Sequence, residues 1–186
     1  MRLIASEVAV AARVAEVLAG GGIVIMPCDT IYGIVGVAPD SEARIREIKG
    51  REEKSFLQLI LDTDWLTRFT EATLPPQLAP YWPGPLTVIF PAGAGTVALR
   101  VPADPLLRQL LQQLDRPLYS TSVNSSGQSA LWRIAEIRER FEPKVDLVVD
   151  AGDLADRVAS TILDVTSHPF RVLRRGALEL PAELLS

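Results

Sequence analysis

Cysteine and histidine are nearly missing from this 186-residue chain, which holds one of each, Cys28 and His168. A single thiol forbids an internal disulfide, a cysteine-cluster zinc site and a Cys-x-x-Cys redox pair. A single imidazole would have to carry any Ser-His-Asp or Cys-His mechanism alone. His168 stands before Pro169 in a turn-like segment with no patterned partner, so it reads as a solvent-side loop residue. Aromatics are sparse at 6%, and Trp65, Trp82 and Trp132 have no regular spacing with basic residues. They read as packing or partly buried surface residues and not as base-stacking platforms. No apolar run approaches the length that spans a bilayer, and the first residues lack the apolar segment of a signal peptide. A cytoplasmic protein without a membrane partner is the expectation.

The phosphate-loop pattern is absent, and Gly93-Ala94-Gly95 lacks both the third glycine and the following helix of a dinucleotide fingerprint. No repeat, low-complexity tract or long linker divides the chain, so residues 1–186 read as one domain. A hydrophobic content of 48% supplies material for its core. The net charge of -4 opposes a broad electrostatic grip on nucleic acid. Positive residues are nonetheless clustered, with Lys49, Arg51 and Lys54 together and Arg171, Arg174 and Arg175 together. Small anionic ligands fit that distribution better than a polymer.

Hydrophobic periodicity gives the elements. Ser6 with Val10, Val14, Val17 and Leu18 predicts a capped helix ended by Gly20-Gly21-Gly22. Ile23 to Met26 reads as a buried strand terminated by Pro27, with Cys28 to Gly33 in the turn beyond it. A second helix is predicted from Ser41 to Lys49, with Gly50 after its end. Phe56–Leu61, Leu86–Phe90, Thr96–Val101, Leu147–Val149, Thr161–Asp164 and Val172–Arg174 read as strands, and Pro117-Leu118-Tyr119 as the end of another. Asp64–Phe69 predicts a short helix, Asp104-Pro105 caps a leucine-rich one, and Ala130–Phe141 predicts the last. Interleaved helices and strands imply an α/β or α+β fold, a single-domain twisted mixed sheet flanked by helices.

The densest chemistry lies at Ser120-Thr121-Ser122-Val123-Asn124-Ser125-Ser126-Gly127, five hydroxyls and an amide at a strand-to-helix junction. Such junctions offer N–H groups to anions, although capping explains serines there as well. Ser120 and Ser122 share strand parity, as do Thr96 and Arg100. Lys49-Gly50-Arg51 has a plain reading as basic residues at the negative pole of a helix. It also suits phosphate, which a guanidinium meets with paired hydrogen bonds and an ammonium with a point charge.

Taken in order, these segments resemble the YrdC/TsaC family of threonylcarbamoyl-adenylate synthases. Pro27-Cys28-Asp29-Thr30-Ile31-Tyr32-Gly33 is similar to the family's P-T-D-T-V-Y-G, and Lys49-Gly50-Arg51 to its K-x-R. Trp82 to Thr87 matches W-P-G-P-L-T, Arg100-Val101-Pro102 matches R-V-P, and Ser120 to Gly127 matches S-T-S-A-N-x-S-G. Ser160-Thr161 and Leu173-Arg174-Arg175-Gly176 resemble the closing blocks. The resemblance implies a YrdC-like fold with a concave cationic cavity that binds ATP, L-threonine and bicarbonate. It implies a nucleotidyltransferase that forms threonylcarbamoyl-AMP and pyrophosphate, with Mg2+ on the phosphates as the only cofactor and no metal held by the protein itself. The adenylate would serve threonylcarbamoyladenosine formation in tRNA, completed by a separate transferase complex.

By position, the resemblance places Lys49 and Arg51 in the catalytic role. It assigns Lys49, Arg51, Ser55, Thr96, Ser122, Asn124 and Arg174 to ATP, and Thr30, Tyr32, Arg100, Ser120 and Ser160 to threonine. Cys28 stands where the family usually has Thr, Val123 where it has Ala, Ser55-Phe56 where it has Asn-Pro, and Ile60 where many members have a threonine-touching His. Longer members carry a further C-terminal domain, whereas this chain stops soon after Gly176. Two alternatives remain: a module of this fold that binds tRNA or double-stranded RNA, and a divergent carbamoyl-transfer member.

Overall fold

The computed structural model describes residues 2–4, 9–50 and 55–185. In chain order the elements are β1 (Arg2–Ile4), α1 (Ala9–Ala19), β2 (Val24–Cys28), β3 (Ile31–Val37), α2 (Glu42–Lys49), β4 (Leu57–Leu59), β5 (Leu86–Ala92) and β6 (Gly95–Arg100). There follow α3 (Pro105–Leu114), β7 (Leu118–Ser122), α4 (Ile134–Phe141), β8 (Leu147–Asp150), β9 (Thr161–Asp164) and β10 (Arg171–Arg174). Short 3-10 turns occupy Thr63–Arg68 and Pro76–Tyr81 between β4 and β5.

Each helix has a local cause. Val10, Val14, Ala15 and Leu18 make one buried stripe on α1. The Asp104 carboxylate accepts the Leu107 N–H at 2.9 Å and starts α3, whose Leu107, Leu110 and Leu111 are buried. Gly50 closes α2 at φ 61°, a left-handed conformation that glycine adopts without a Cβ penalty. The Ser6 cap expected for α1 lies outside the described residues.

All ten strands join one mixed sheet in the order β1-β8-β2-β3-β7-β4-β6-β5-β9-β10. Four pairs are parallel (β1 with β8, β2 with β8, β4 with β6, β5 with β9) and the other five antiparallel. Strand alternation supplies two cores. Val24, Met26, Val35 and Leu118 pack with α1 and α3, while Ile23, Ile25, Ile34 and Tyr119 pack with Ile45 of α2 and Ile137 and Phe141 of α4. The helices therefore flank both faces of the sheet. Along β5 and β6, Leu86, Val88, Phe90 and Leu99 enter the first core, leaving Thr87, Ile89, Ala98 and Arg100 for the cavity described below.

Four sequence expectations change. Pro27 does not end β2, which continues through Cys28 and pairs antiparallel with β3, Pro27 against Tyr32. The partner on the other side, β8, reaches only as far as Ile25, so the missing proline N–H falls where one side of the strand is already unpaired. Ile31–Val37, whose start was read as turn, is a seven-residue strand. β7 extends to Ser122, so the first three residues of the hydroxyl cluster belong to a strand. α4 starts at Ile134 and not at Ala130. His168 is exposed, as expected, whereas Trp65 and Trp82 are buried.

Candidate active site

Strand registers carry chemistry from distant parts of the chain onto one surface. Gly33 lies opposite Ser122, Ser120 opposite both Val35 and Leu57, Leu59 opposite Arg100, and Thr87 opposite Ile162. Above this row lies a cavity of about 410 Å³. Its polar lining consists of Cys28, Thr30, Tyr32, Ser55, Thr87, Thr96, Arg100, Ser120, Thr121, Ser122, Ser160 and Arg174, and no carboxylate lines it among the described residues.

At one end, on β5, β6, β9 and β10, two guanidinium groups dominate. Arg100 is 2% exposed, and its Nη2 lies 3.5 Å from Asp29 Oδ2. Burial pulls the Arg100 pKa down, with Asp29 opposing that shift, and pushes the Asp29 carboxyl up, with Arg100 opposing. Arg174 donates from Nε to the Ser160 carbonyl at 2.9 Å and from Nη2 to Ser160 Oγ at 3.1 Å. Its pKa is drawn down by burial and then by the like charge of Arg100. Ser160 Oγ also lies 2.9 Å from Thr87 Oγ1, in a buried hydroxyl pair.

The other end is built on β7 and the loop after it. Lys49 Nζ, buried at the end of α2, donates to the Ser122 carbonyl and to Asn124 Oδ1, both at 2.6 Å. Ser122 Oγ donates to the same Asn124 oxygen at 2.6 Å, and Asn124 Nδ2 donates to the carbonyls of Ser125 and Gln128. Lys49 and Asn124 thus shape the wall from behind and do not line the cavity. Tyr32 lies in that wall, but its hydroxyl donates to the Gly152 carbonyl at 2.7 Å and accepts the Ala151 N–H at 2.9 Å.

Between the two ends lies Cys28. A Cβ on Gly33 would stand 2.7 Å from its Sγ and 3.1 Å from Ser120 Oγ, so only glycine leaves the floor open there. Burial pushes the thiol up to about 12, against smaller opposing effects of Arg100 and the Ser120 hydrogen bond. At neutral pH it is a neutral S–H and a poor nucleophile.

Of the residues singled out from sequence, Thr30, Tyr32, Ser55, Thr96, Arg100, Ser120, Ser122, Ser160 and Arg174 line the cavity. Arg51 lies outside the described residues, as does Lys54. Ile60 is fully buried in the α1/α3 core and does not reach the lining. Val123 is likewise buried in the α2/α4 core. Sequence reasoning missed Thr87 and Asp29 as functional candidates, although both fall inside quoted motif blocks. No group of three or more His, Cys, Asp or Glu side chains suited to a metal occurs among the described residues.

Comparison with known proteins adds an independent line. The family profile named for Sua5, YciO and YrdC, and described as telomere recombination, matches residues 16–176. A Pyrococcus abyssi protein named threonylcarbamoyl-AMP synthase is 32% identical over 176 residues, covering 86% of this chain and 52% of the relative. The crystal structure of P. abyssi Sua5 complexed with L-threonine superposes with a TM-score of 0.84 at 27% identity, over 96% of this chain and 57% of that one. Escherichia coli YciO shares the fold with a TM-score of 0.83 at 21% identity, over 100% and 97% of the two chains. The chain spans about half the length of the curated relative it matches.

Proposed function

Because this chain belongs to the Sua5/YciO/YrdC family, we propose that it condenses L-threonine, bicarbonate and ATP to threonylcarbamoyl-AMP and pyrophosphate. The observation that carries the reading is the convergence of Arg100, Arg174 and the Thr87–Ser160 hydroxyl pair on a cavity that no carboxylate lines among the described residues. Such a concave, cationic lining suits two anionic reactants brought together.

The chemistry asks for alignment more than for protein nucleophiles. The threonine amine takes up the carbon of bicarbonate with loss of water, giving a carbamate. A carbamate oxygen then attacks the ATP α-phosphorus and pyrophosphate leaves. Arg100 pairs with the threonine carboxylate, while Thr30, Ser120 and Ser160 surround the rest of that substrate. Arg174, Thr96, Ser55 and Ser122 face the nucleotide, with Lys49 holding the Ser122 carbonyl and Asn124 its hydroxyl. Guanidinium and hydroxyl donors fixed before substrate arrives stabilise charge that develops on the phosphate, at no cost of reorganisation. The neutral Cys28 thiol stays out of the covalent steps. Mg2+ carried in with ATP would supply charge neutralisation on the phosphates, with no described residue assigned to hold it.

The product adenylate would pass to a separate transferase that modifies tRNA, which places the protein in the cytoplasm. No helix of the described residues is long and apolar enough to cross a membrane. The test is pyrophosphate release from ATP, with threonine and bicarbonate each omitted in turn. Release that depends on both is the expected result, and release that ignores threonine would overturn the proposal. Equal rates with serine would keep the reaction type and reject the substrate.

A further inference from the structure

We infer that Asp29 is a positioning residue, holding the Arg100 guanidinium in the orientation that receives a substrate carboxylate; this rests on the threonine reading above. The two side chains are almost sealed from solvent, 3% exposed for Arg100 and 7% for Asp29. Their separation of 3.5 Å is short enough for ion pairing and too long for a good hydrogen bond. Arg100 Nε and Asp29 Oδ2 both remain buried without a hydrogen-bond partner. Buried polar atoms are nearly always satisfied, so these two orphans mark a pairing held short of completion. An arginine locked to its counter-ion in a bidentate pair would keep fewer of its five N–H donors, and a fixed tilt, for a substrate. Without a counter-charge it would not stay buried and aligned. Asp29 meets both conditions by supplying charge and leaving the donors free.

Asp29 is itself clamped by two further contacts. Its Oδ1 accepts the Asp104 N–H at 2.5 Å, and its carbonyl accepts Arg157 Nη1 at 3.2 Å. Its backbone sits at φ 51°, a left-handed conformation uncommon outside glycine that asparagine and aspartate tolerate best. The carboxylate does not line the cavity, so it acts through Arg100 and not on substrate. Backbone strain of this kind concentrates where geometry serves function.

Asp29→Asn is the informative variant, because asparagine accepts the same backbone conformation and can keep the Asp104 contact while losing the charge. Kinetics of threonine-dependent pyrophosphate release would be measured for the wild type, Asp29→Asn, Arg100→Met and the double variant. L-Threoninol, which lacks the carboxylate, serves as a competing probe. The expected result for Asp29→Asn is a rise of tenfold or more in KM for threonine. KM for ATP and the inhibition constant of L-threoninol should stay within twofold, and Asp29→Asn should add nothing in the Arg100→Met background. An unchanged threonine KM, an equal loss for L-threoninol, or full additivity with Arg100→Met would overturn the inference. Should Asp29→Asn fail to fold, the double variant decides. A folded double variant shows that Asp29 acts through Arg100, and an unfolded one shows that it serves the turn instead. A wild type that turns over without regard to threonine overturns the functional reading and this inference together. Threonine-dependent turnover with no change in Asp29→Asn overturns this inference alone.

Discussion

The two ends of the cavity treat their polar groups in opposite ways. At the β7 end, Lys49, Ser122 and Asn124 hydrogen-bond one another and the backbone of the following loop at distances near the short limit. At the β6 end, Arg100 keeps an unpartnered Nε and sits beside a counter-ion it does not fully engage, with the like charge of Arg174 nearby. The first end is a scaffold whose interactions close on themselves. The second is held incomplete, in the state expected of donors preorganised for an anion. Local satisfaction fixes the shape of the site, and local dissatisfaction gives it affinity.

The sharpest way to break this comparison is to exchange one cation at each end for an uncharged chain of similar length. Arg100→Met is expected to lower kcat/KM for threonine by about 10²–10³-fold, the usual effect of removing one charge-stabilising donor. Steady-state pyrophosphate release checks it. Lys49→Met leaves the Ser122 carbonyl and Asn124 Oδ1 without their shared charged donor, which costs about 2–3 kcal/mol of folding stability. Urea denaturation, read as a shift in midpoint at constant slope, measures that loss. If Lys49→Met matched Arg100→Met in turnover while keeping its stability, the scaffold end would be facing ligand too and the contrast would fall.

The same contrast explains which parts were legible in the sequence. The Asp104 cap and the Gly50 stop are local signals, and each stands where the residues place it, whereas the hydroxyl cluster begins inside β7 and ends in the loop before α4. Thr96, Ala98 and Arg100 line the cavity together because strand alternation alone sets their common direction. β3 was hidden because Pro27 suggests an ending, and only the shortness of β8 shows why a proline is tolerated there. Asp29 was unreadable for a related reason. Its partners, Arg100, Asp104 and Arg157, lie 71, 75 and 128 residues away, and no spacing rule reaches so far. The Thr87–Ser160 pair was hidden likewise, since it depends on the parallel register of β5 with β9.

A smaller effect is expected where the two ends meet. Gly33→Ala would thrust a methyl group toward Cys28 Sγ and Ser120 Oγ. Overpacking of this kind costs about 1–3 kcal/mol, and here it also narrows the cavity. The accompanying change Cys28→Ala should restore part of both stability and threonine affinity, whereas a strain confined to the backbone would not respond. Thermal denaturation and threonine KM, taken on the single and double variants, separate the two causes.

The finest test uses Cys28 as a reporter between the ends. Its folded-state thiol is raised from 9.0 to about 12 by burial, so the folded protein holds this proton where the unfolded chain has released it. The resulting stability is fully present below pH 9 and is lost as pH rises from about 9 toward 12. At pH 10 the wild type should have lost about 1.4 kcal/mol more, relative to pH 7, than Cys28→Ala has. Urea midpoints at the two pH values give the difference, and the alanine variant cancels the titration of other groups. Arg100 opposes the burial effect, so in Arg100→Met the thiol stays high and the loss at pH 10, set by the unfolded thiol, should remain the same. A smaller loss at pH 10 in Arg100→Met would mean that the folded thiol titrates near its unfolded value once the guanidinium is gone, and that burial between the two ends does not hold its proton.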